Sequence, residues 1–145
     1  MSRVMAFGTF DNLHPGHLAY FSQASSLGQE LVVVVARDKN VLKQKRREAL
    51  EDEKQRLKKV KEAILALHIS GRAVLGSLRD KYSVLRKFQP SVIALGYDQS
   101  ANLEELDKEI RRFNLDCRIV RLMPYRADKY KSSYCRAKKA SLRIV

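Results

Sequence analysis

Gly8-Thr9-Phe10-Asp11-Asn12-Leu13-His14-Pro15-Gly16-His17 joins a short apolar run, Arg3 to Phe7, to a segment with helical spacing, His14 to Leu27. Leu18, Phe21 and Ala24 or Ser25 recur on one face of that segment, the pattern of an amphipathic helix. Pro15 suits a first helical turn, where its missing N–H is not needed, and Gly28 is expected to close the helix as its C-cap. A strand, a glycine and a helix start, in that order, make an anion site, because the first N–H groups of a helix are unpaired and its dipole is positive there. Gly8 is expected to let a ligand approach the backbone closely. His14 falls just before the helix and His17 in its first turn, three residues on, so both rings can face one side. Gly16 between them keeps that side open. They read as two imidazoles aimed at a phosphate, with His17 contributing little to stability. The same spacing admits two other readings, a capping role for His14 beside an exposed His17, or a metal pair. The metal pair needs further ligands, and His68 is the only other histidine in the chain.

Outward from this turn, strand-like and helix-like segments alternate to the end of the chain. Leu31 to Ala36 is a continuous apolar run, as in a strand buried on both faces of a parallel sheet. Glu51 to Leu67 carries Leu57, Val60, Ile64 and Leu67 at helical spacing. Ala73 to Leu75, Ser91 to Leu95 and Cys117 to Leu122 read as strands; Lys81 to Phe88 and Asn102 to Phe113 read as helices, and Ser132 to Ala140 as a basic helix. Asp38 to Leu50 has little periodicity and holds Lys39, Lys43, Lys45, Arg46 and Arg47. It reads as an exposed basic loop that would close over a polyphosphate, or else as a solvated helix start. The order predicts a single α/β domain over residues 1–145, doubly wound and Rossmann-like, with a mostly parallel five-stranded sheet and the first strand central. The length of 145 residues is close to the ~150 of one domain. In such sheets ligands bind beyond the carboxyl ends of the strands. Those ends carry Gly8-Thr9-Phe10, Arg37-Asp38, Gly96-Tyr97-Asp98-Gln99 and Pro124-Tyr125-Arg126.

Composition narrows the function. Lys plus Arg is 29 against 16 for Asp plus Glu, a formal charge of +13. That balance suits an anionic partner; a surface rich in ion pairs would also produce it. Aromatic residues are only 8%, and no aromatic-rich binding motif appears, which counts against a basic nucleic-acid-binding module. The two cysteines are too few for a disulfide framework, and no Cys/His spacing forms a zinc site. No apolar run approaches the ~20 residues of a membrane span, and the first residues lack the apolar stretch of a signal peptide. A cytoplasmic location is expected.

Gly8-Thr9-Phe10-Asp11 followed by His14-Pro15-Gly16-His17 resembles the G-T-F-D-x-x-H-x-G-H signature of the cytidylyltransferase-like nucleotidyltransferases, the HIGH-type enzymes. Glu53-Lys54-Gln55-Arg56 is similar to the E-x-Q-R helix start of that family. Leu95-Gly96-Tyr97-Asp98-Gln99 resembles the L-G-x-D-Q turn of its archaeal FAD synthase branch. Lys131-Ser132-Ser133-Tyr134-Cys135-Arg136 resembles the late I-S-S/T-T-x-I-R motif, with Lys131 and Tyr134 in place of Ile and Thr. The resemblance implies in-line attack of an acceptor phosphate on the α-phosphorus of a nucleoside triphosphate, with pyrophosphate leaving. Catalysis is then positioning and stabilisation of phosphate charge. It implies His14, His17 and Lys43 as catalytic residues. Gly8, Thr9, Phe10, Pro15 and Gly16 would form the phosphate turn, with Asp98 at the ribose or base. Tyr125 and Arg126 would flank base and phosphate, and Ser132, Ser133 and Arg136 would bind the outer phosphates. It also implies Mg²⁺ carried with ATP, no named protein ligand for it, and a homodimer. The branch implies FMN as acceptor and FAD as product, with riboflavin unable to replace FMN. A glycerol-3-phosphate cytidylyltransferase or a heptose-type sugar-phosphate adenylyltransferase would use the same phosphate machinery.

Overall fold

The computed structural model describes residues 2–80, 82–97, 99, 102–124 and 143–144. Six strands, β1 (Arg3–Gly8), β2 (Glu30–Val35), β3 (Gly71–Leu75), β4 (Val92–Leu95), β5 (Arg118–Arg121) and β6 (Arg143–Ile144), pair among these residues in the order β3-β2-β1-β4-β5-β6. The five longer strands are all parallel. The two-residue β6 adds an antiparallel edge that the sequence reading did not include.

Strand period decides the two layers. Val4, Ala6, Leu31, Val33, Val92 and Ala94 point to one face, where α1 (Pro15–Ser25) and α3 (Glu53–Ala66) cover them with Phe21, Ala24, Val60 and Ile64. Met5, Val32, Val34, Ile93 and Leu95 point to the other, against α4 (Ser83–Phe88) and α5 (Leu103–Arg112). Right-handed crossovers require this change of face when the chain, having laid β2 and β3 on one side of β1, returns to lay β4 on the other. The reversal sets β1 at the centre of the sheet, as expected, and opens a crevice between the ends of β1 and β4.

Two local expectations are corrected. Asp38–Lys45 is a helix, α2, so the alternative of a solvated helix start holds here and the basic loop does not. It buries only Val41, so no apolar stripe announces it in the sequence. Its N-terminus is held instead by Glu53, whose carboxylate accepts from the Asp38 N–H at 3.0 Å and from Arg37 at 2.9 Å. Gly28 is not a left-handed C-cap; Ser26, in ordinary helical conformation, ends α1. A Cβ at Gly28 would lie 2.8 Å from Val4 Cγ2, so the glycine is there for close packing of the α1 exit on β1.

Candidate active site

The turn between β1 and α1 is strained and tightly held. Phe10 and Asn12 have φ of 57° and 54°, a left-handed conformation that costs a bulky residue such as Phe about 1–2 kcal/mol. Burial offsets it at Phe10, which is 4% exposed and packs its ring against Phe21 at 5.1 Å between centroids. That ring also explains Gly8, because a Cβ there would meet Phe10 Cζ at 2.7 Å. The space a Gly8 side chain would take is therefore filled by the Phe10 ring, while the Gly8 backbone still lines the cleft.

His14 is the N-cap of α1. Its Nδ1 accepts from the Gly16 N–H at 3.1 Å, and the Nδ1 of His17 accepts from the His14 N–H at 3.2 Å, a reciprocal capping arrangement. The rings stack with centroids 3.9 Å apart, and the Phe10 ring meets His17 edge-on at 5.6 Å. A neutral imidazole that accepts at Nδ1 carries its proton on Nε2. The capping bonds thus make each Nε2 a donor, on two rings that line the cleft at a helix N-terminus. The expectation that His17 matters little to stability is corrected, since it caps the helix as well.

The other side of the turn is clamped by the segment between α2 and α3. Asp11 accepts from the N–H groups of Leu50 at 2.8 Å and Glu51 at 3.0 Å. Glu51 in turn accepts from the Asn12 N–H at 2.8 Å and pairs with Lys59. Burial pushes the Asp11 carboxyl up, but the two N–H donors and the charges of Arg56 and Lys45 outweigh it and hold it below its usual 3.8. Its contribution to stability is thus present above the unfolded value and lost as pH falls through the lowered folded one. Asp11→Asn should lower the melting temperature at neutral pH, and melting curves taken at successively more acid pH should converge with wild type. A gap that persists in acid would contradict this role.

Beneath the turn lies Arg56, which is fully buried. Its Nη1 donates to the carbonyls of Thr9 and Ala36, both at 2.8 Å, its Nε to the carbonyl of Glu51 at 3.0 Å and its Nη2 to Asp38 at 2.6 Å. The last residue of the E-x-Q-R string thereby ties together the exits of β1 and β2, the start of α2 and the Asp11 clamp. Gln55, one residue earlier, completes a capping box with Asp52.

Two glutamines do similar work on the β4 side. Gln99 donates to the Phe7 carbonyl at 2.6 Å and accepts from the Gly96 N–H at 3.0 Å. The buried Gln23 of α1 donates to the Met123 carbonyl at 3.2 Å and accepts from its N–H at 3.0 Å. Tyr20, whose hydroxyl donates to the Ala94 carbonyl at 2.7 Å, has its phenol pushed up by burial. Sequence reasoning passed over Arg56, Gln23 and Tyr20 as site-building residues.

These elements enclose a cleft of ≈ 590 Å³ at the carboxyl end of the sheet. Gly8, Thr9, Phe10, His14, Pro15, Gly16 and His17 line it together with Asp11, Lys45, Arg47, Glu48, Leu50, Tyr97 and Gln99. Lys43 is exposed on α2 and is not among the lining residues; Lys45 and Arg47 bring the cations of this segment to the cleft. Asp98, Tyr125, Arg126, Ser132, Ser133 and Arg136, and the helix expected over Ser132 to Ala140, lie outside the described residues. No cluster of three or more His, Cys, Asp or Glu suited to a metal ion occurs among the described residues, and both Asp11 oxygens already accept N–H bonds. Among the same residues no helix is long and apolar enough to cross a membrane.

Residues 5–138 match the cytidylyltransferase-like family. The chain is 44% identical over 122 residues to the FAD synthase of Methanosarcina barkeri, covering 84% of each. It is 39% identical over 145 residues to the FAD synthase of Archaeoglobus profundus, covering 100% of this chain and 87% of that one. A crystal structure of the lipopolysaccharide core biosynthesis protein from Thermoplasma volcanium superimposes with a TM-score of 0.77 at 39% identity, covering 87% of this chain and 99% of that one.

Proposed function

The chain belongs to the cytidylyltransferase-like family, and from that premise we propose that it transfers AMP from ATP to FMN, forming FAD and releasing pyrophosphate. The observation that carries the chemistry is the stacked histidine pair at the start of α1, whose Nδ1 atoms accept the capping N–H bonds and whose rings line the cleft. FMN as acceptor rests on the FAD synthases of Methanosarcina barkeri and Archaeoglobus profundus, at 44% and 39% identity.

In this reading a phosphate oxygen of FMN attacks the α-phosphorus of ATP, and a new P–O bond forms. The bond from that phosphorus to the bridging oxygen breaks, and its electron pair leaves with pyrophosphate. The two Nε2–H groups and the backbone N–H groups of Thr9 and Phe10 neutralise the charge that builds on the phosphates, in a turn held rigid beforehand by Arg56 and Asp11. Asp98, Tyr125 and Arg126 would hold the nucleoside, and Ser132, Ser133 and Arg136 the outgoing pyrophosphate. A divalent ion would arrive with the substrate as MgATP, chelated mainly by phosphate oxygens and water.

The direct test incubates the protein with MgATP and FMN and identifies products by mass. FAD and pyrophosphate are expected, and riboflavin in place of FMN should give neither. A sugar-phosphate acceptor is the second reading, prompted by the name of the Thermoplasma volcanium protein. Nucleotide-sugar formed from ATP and a heptose phosphate, with no FAD from FMN, would select it; product from CTP and glycerol 3-phosphate alone would reject both.

Because Lys45 lines the cleft and Lys43 does not, the two lysines should behave differently. Lys45→Ala should raise a substrate KM about tenfold, the size of a lost charge-assisted phosphate contact, whereas Lys43→Ala should leave steady-state constants within about twofold. Equal losses in both variants would return Lys43 to the site.

A further inference from the structure

Leu50 is 85% exposed, more than any other large apolar side chain among the described residues. An exposed leucine on a slack loop would mean little, but this one is not on a slack loop. Its N–H is fixed by Asp11 at 2.8 Å, and the next residue is fixed at its N–H by Asp11, at its carboxylate by Asn12 and at its carbonyl by Arg56. Four hydrogen bonds, drawn from the phosphate turn and a buried guanidinium, hold an apolar side chain in water at the wall of the cleft. Leu50 lines the same cleft as His14 and His17, as do its neighbours Ala49 and Glu48 and the cations Lys45 and Arg47. The wall thus offers a small apolar shelf beside two cations, complementary to a molecule with an apolar planar ring at one end and a phosphate at the other.

We propose that Leu50 is the platform on which the acceptor's planar ring system packs, and so a specificity-determining residue for the acceptor. This rests on the reading above, in which that ring is the isoalloxazine of FMN. With the phosphates at the start of α1, the two ring systems of the product part to opposite flanks of β1. The flavin lies on the β2 side against Leu50, and the adenine on the β4 side, where Tyr97 is 53% exposed. A sugar phosphate carries a hydroxyl on most ring carbons and has far less apolar planar surface, so it gains little from a leucine there. Leu50 thereby separates the flavin from acceptors that use the same phosphate contacts. Tethering the backbone to Asp11 fixes the shelf in register with the attacked phosphate, so ring recognition and phosphate alignment share one anchor.

The experiment compares wild type, Leu50→Ala, Leu50→Asp, Leu50→Phe and, as a control, Leu65→Ala on the outer side of α3, 76% exposed and absent from the cleft lining. It measures KM for FMN and for ATP, and FMN affinity by quenching of flavin fluorescence in the presence of an α,β-methylene analogue of ATP. Leu50→Ala should weaken FMN about tenfold, the cost of removing most of a leucine's apolar contact. KM for ATP should stay within about twofold and the melting temperature should not change. Leu50→Asp should weaken FMN further, Leu50→Phe should keep wild-type affinity, and Leu65→Ala should match wild type. Wild-type FMN affinity in Leu50→Ala, or equal losses for ATP and FMN, would overturn the platform while leaving FAD synthesis standing. A wild-type protein that makes no FAD from FMN would overturn the functional reading and the platform with it.

Discussion

His17→Ala should lower kcat by about 10²–10³ and leave KM for ATP within about tenfold. The ring stands in the first turn of α1, where the helix adds positive potential, and its Nδ1 is committed to the His14 N–H at 3.2 Å. In the proposed reaction that bond would present the ring to the phosphates in one orientation. Charge on those oxygens is greater in the transition state than in bound ATP, so the benefit falls on kcat rather than on binding. The same bond makes alanine costly to the fold. Losing a cap of this kind typically removes about 1 kcal/mol, a drop of roughly 3–5 °C in melting temperature for a domain of this size. His17→Gln separates the two roles. Glutamine is a natural partner at this position of a capping box, so stability should return to near wild type while turnover stays low. His17→Asn should keep more activity than alanine, because its amide retains a donor without the reach of the ring. Near-full turnover in His17→Gln would make the ring a cap and nothing more.

The parts of this site that could be read from the sequence are those whose cause is local. The strand runs show themselves because a sheet covered on both faces needs apolar residues at every position, as in Leu31 to Val35. The turn from Gly8 to His17 shows itself because helix start, proline and paired imidazoles are adjacent in the chain. Where contacts join distant segments, the same reading fails. Phe10 looks like a turn residue, yet its ring is core and fills the place over Gly8. Gln23 looks like an ordinary polar residue of α1, yet its amide completes the backbone of Met123, 100 residues on. α2 lacks periodicity because Glu53 and Arg56 hold it through polar contacts and it buries one side chain only. Lys43 is implied by the family resemblance alone, and it is the helical course of α2 that leaves it exposed while Lys45 joins the cleft lining.

Arg56→Leu is expected to have the largest effect on stability. The guanidinium is fully buried and serves four acceptors in four segments: the exits of β1 and β2, the start of α2 and the clamp at Glu51. A leucine of similar bulk fills much of the space but leaves the carbonyls of Thr9, Ala36 and Glu51 without that donor, at about 1–3 kcal/mol for each that water cannot reach. Asp38 is half exposed and can regain water, so its share is smaller. The sum points to about 3–5 kcal/mol, the usual cost of removing one side of a buried charged network. That is a loss of 10 °C or more in melting temperature. Activity should fall as well in the fraction that remains folded, because Thr9 is one residue from the left-handed Phe10 and its carbonyl is held by Arg56. Arg56→Lys keeps the charge but has a single flexible head in place of a planar fork. It can satisfy one or two of the four acceptors, so it should fall between leucine and wild type in both stability and kcat. The comparison is made by thermal unfolding and by kcat measured well below each variant's melting temperature. If Arg56→Leu melts within about 2 °C of wild type, the carbonyls have found other donors and the guanidinium does not hold the turn together; if it melts low but turns over normally when folded, Arg56 supports the fold without setting the geometry of the phosphate site.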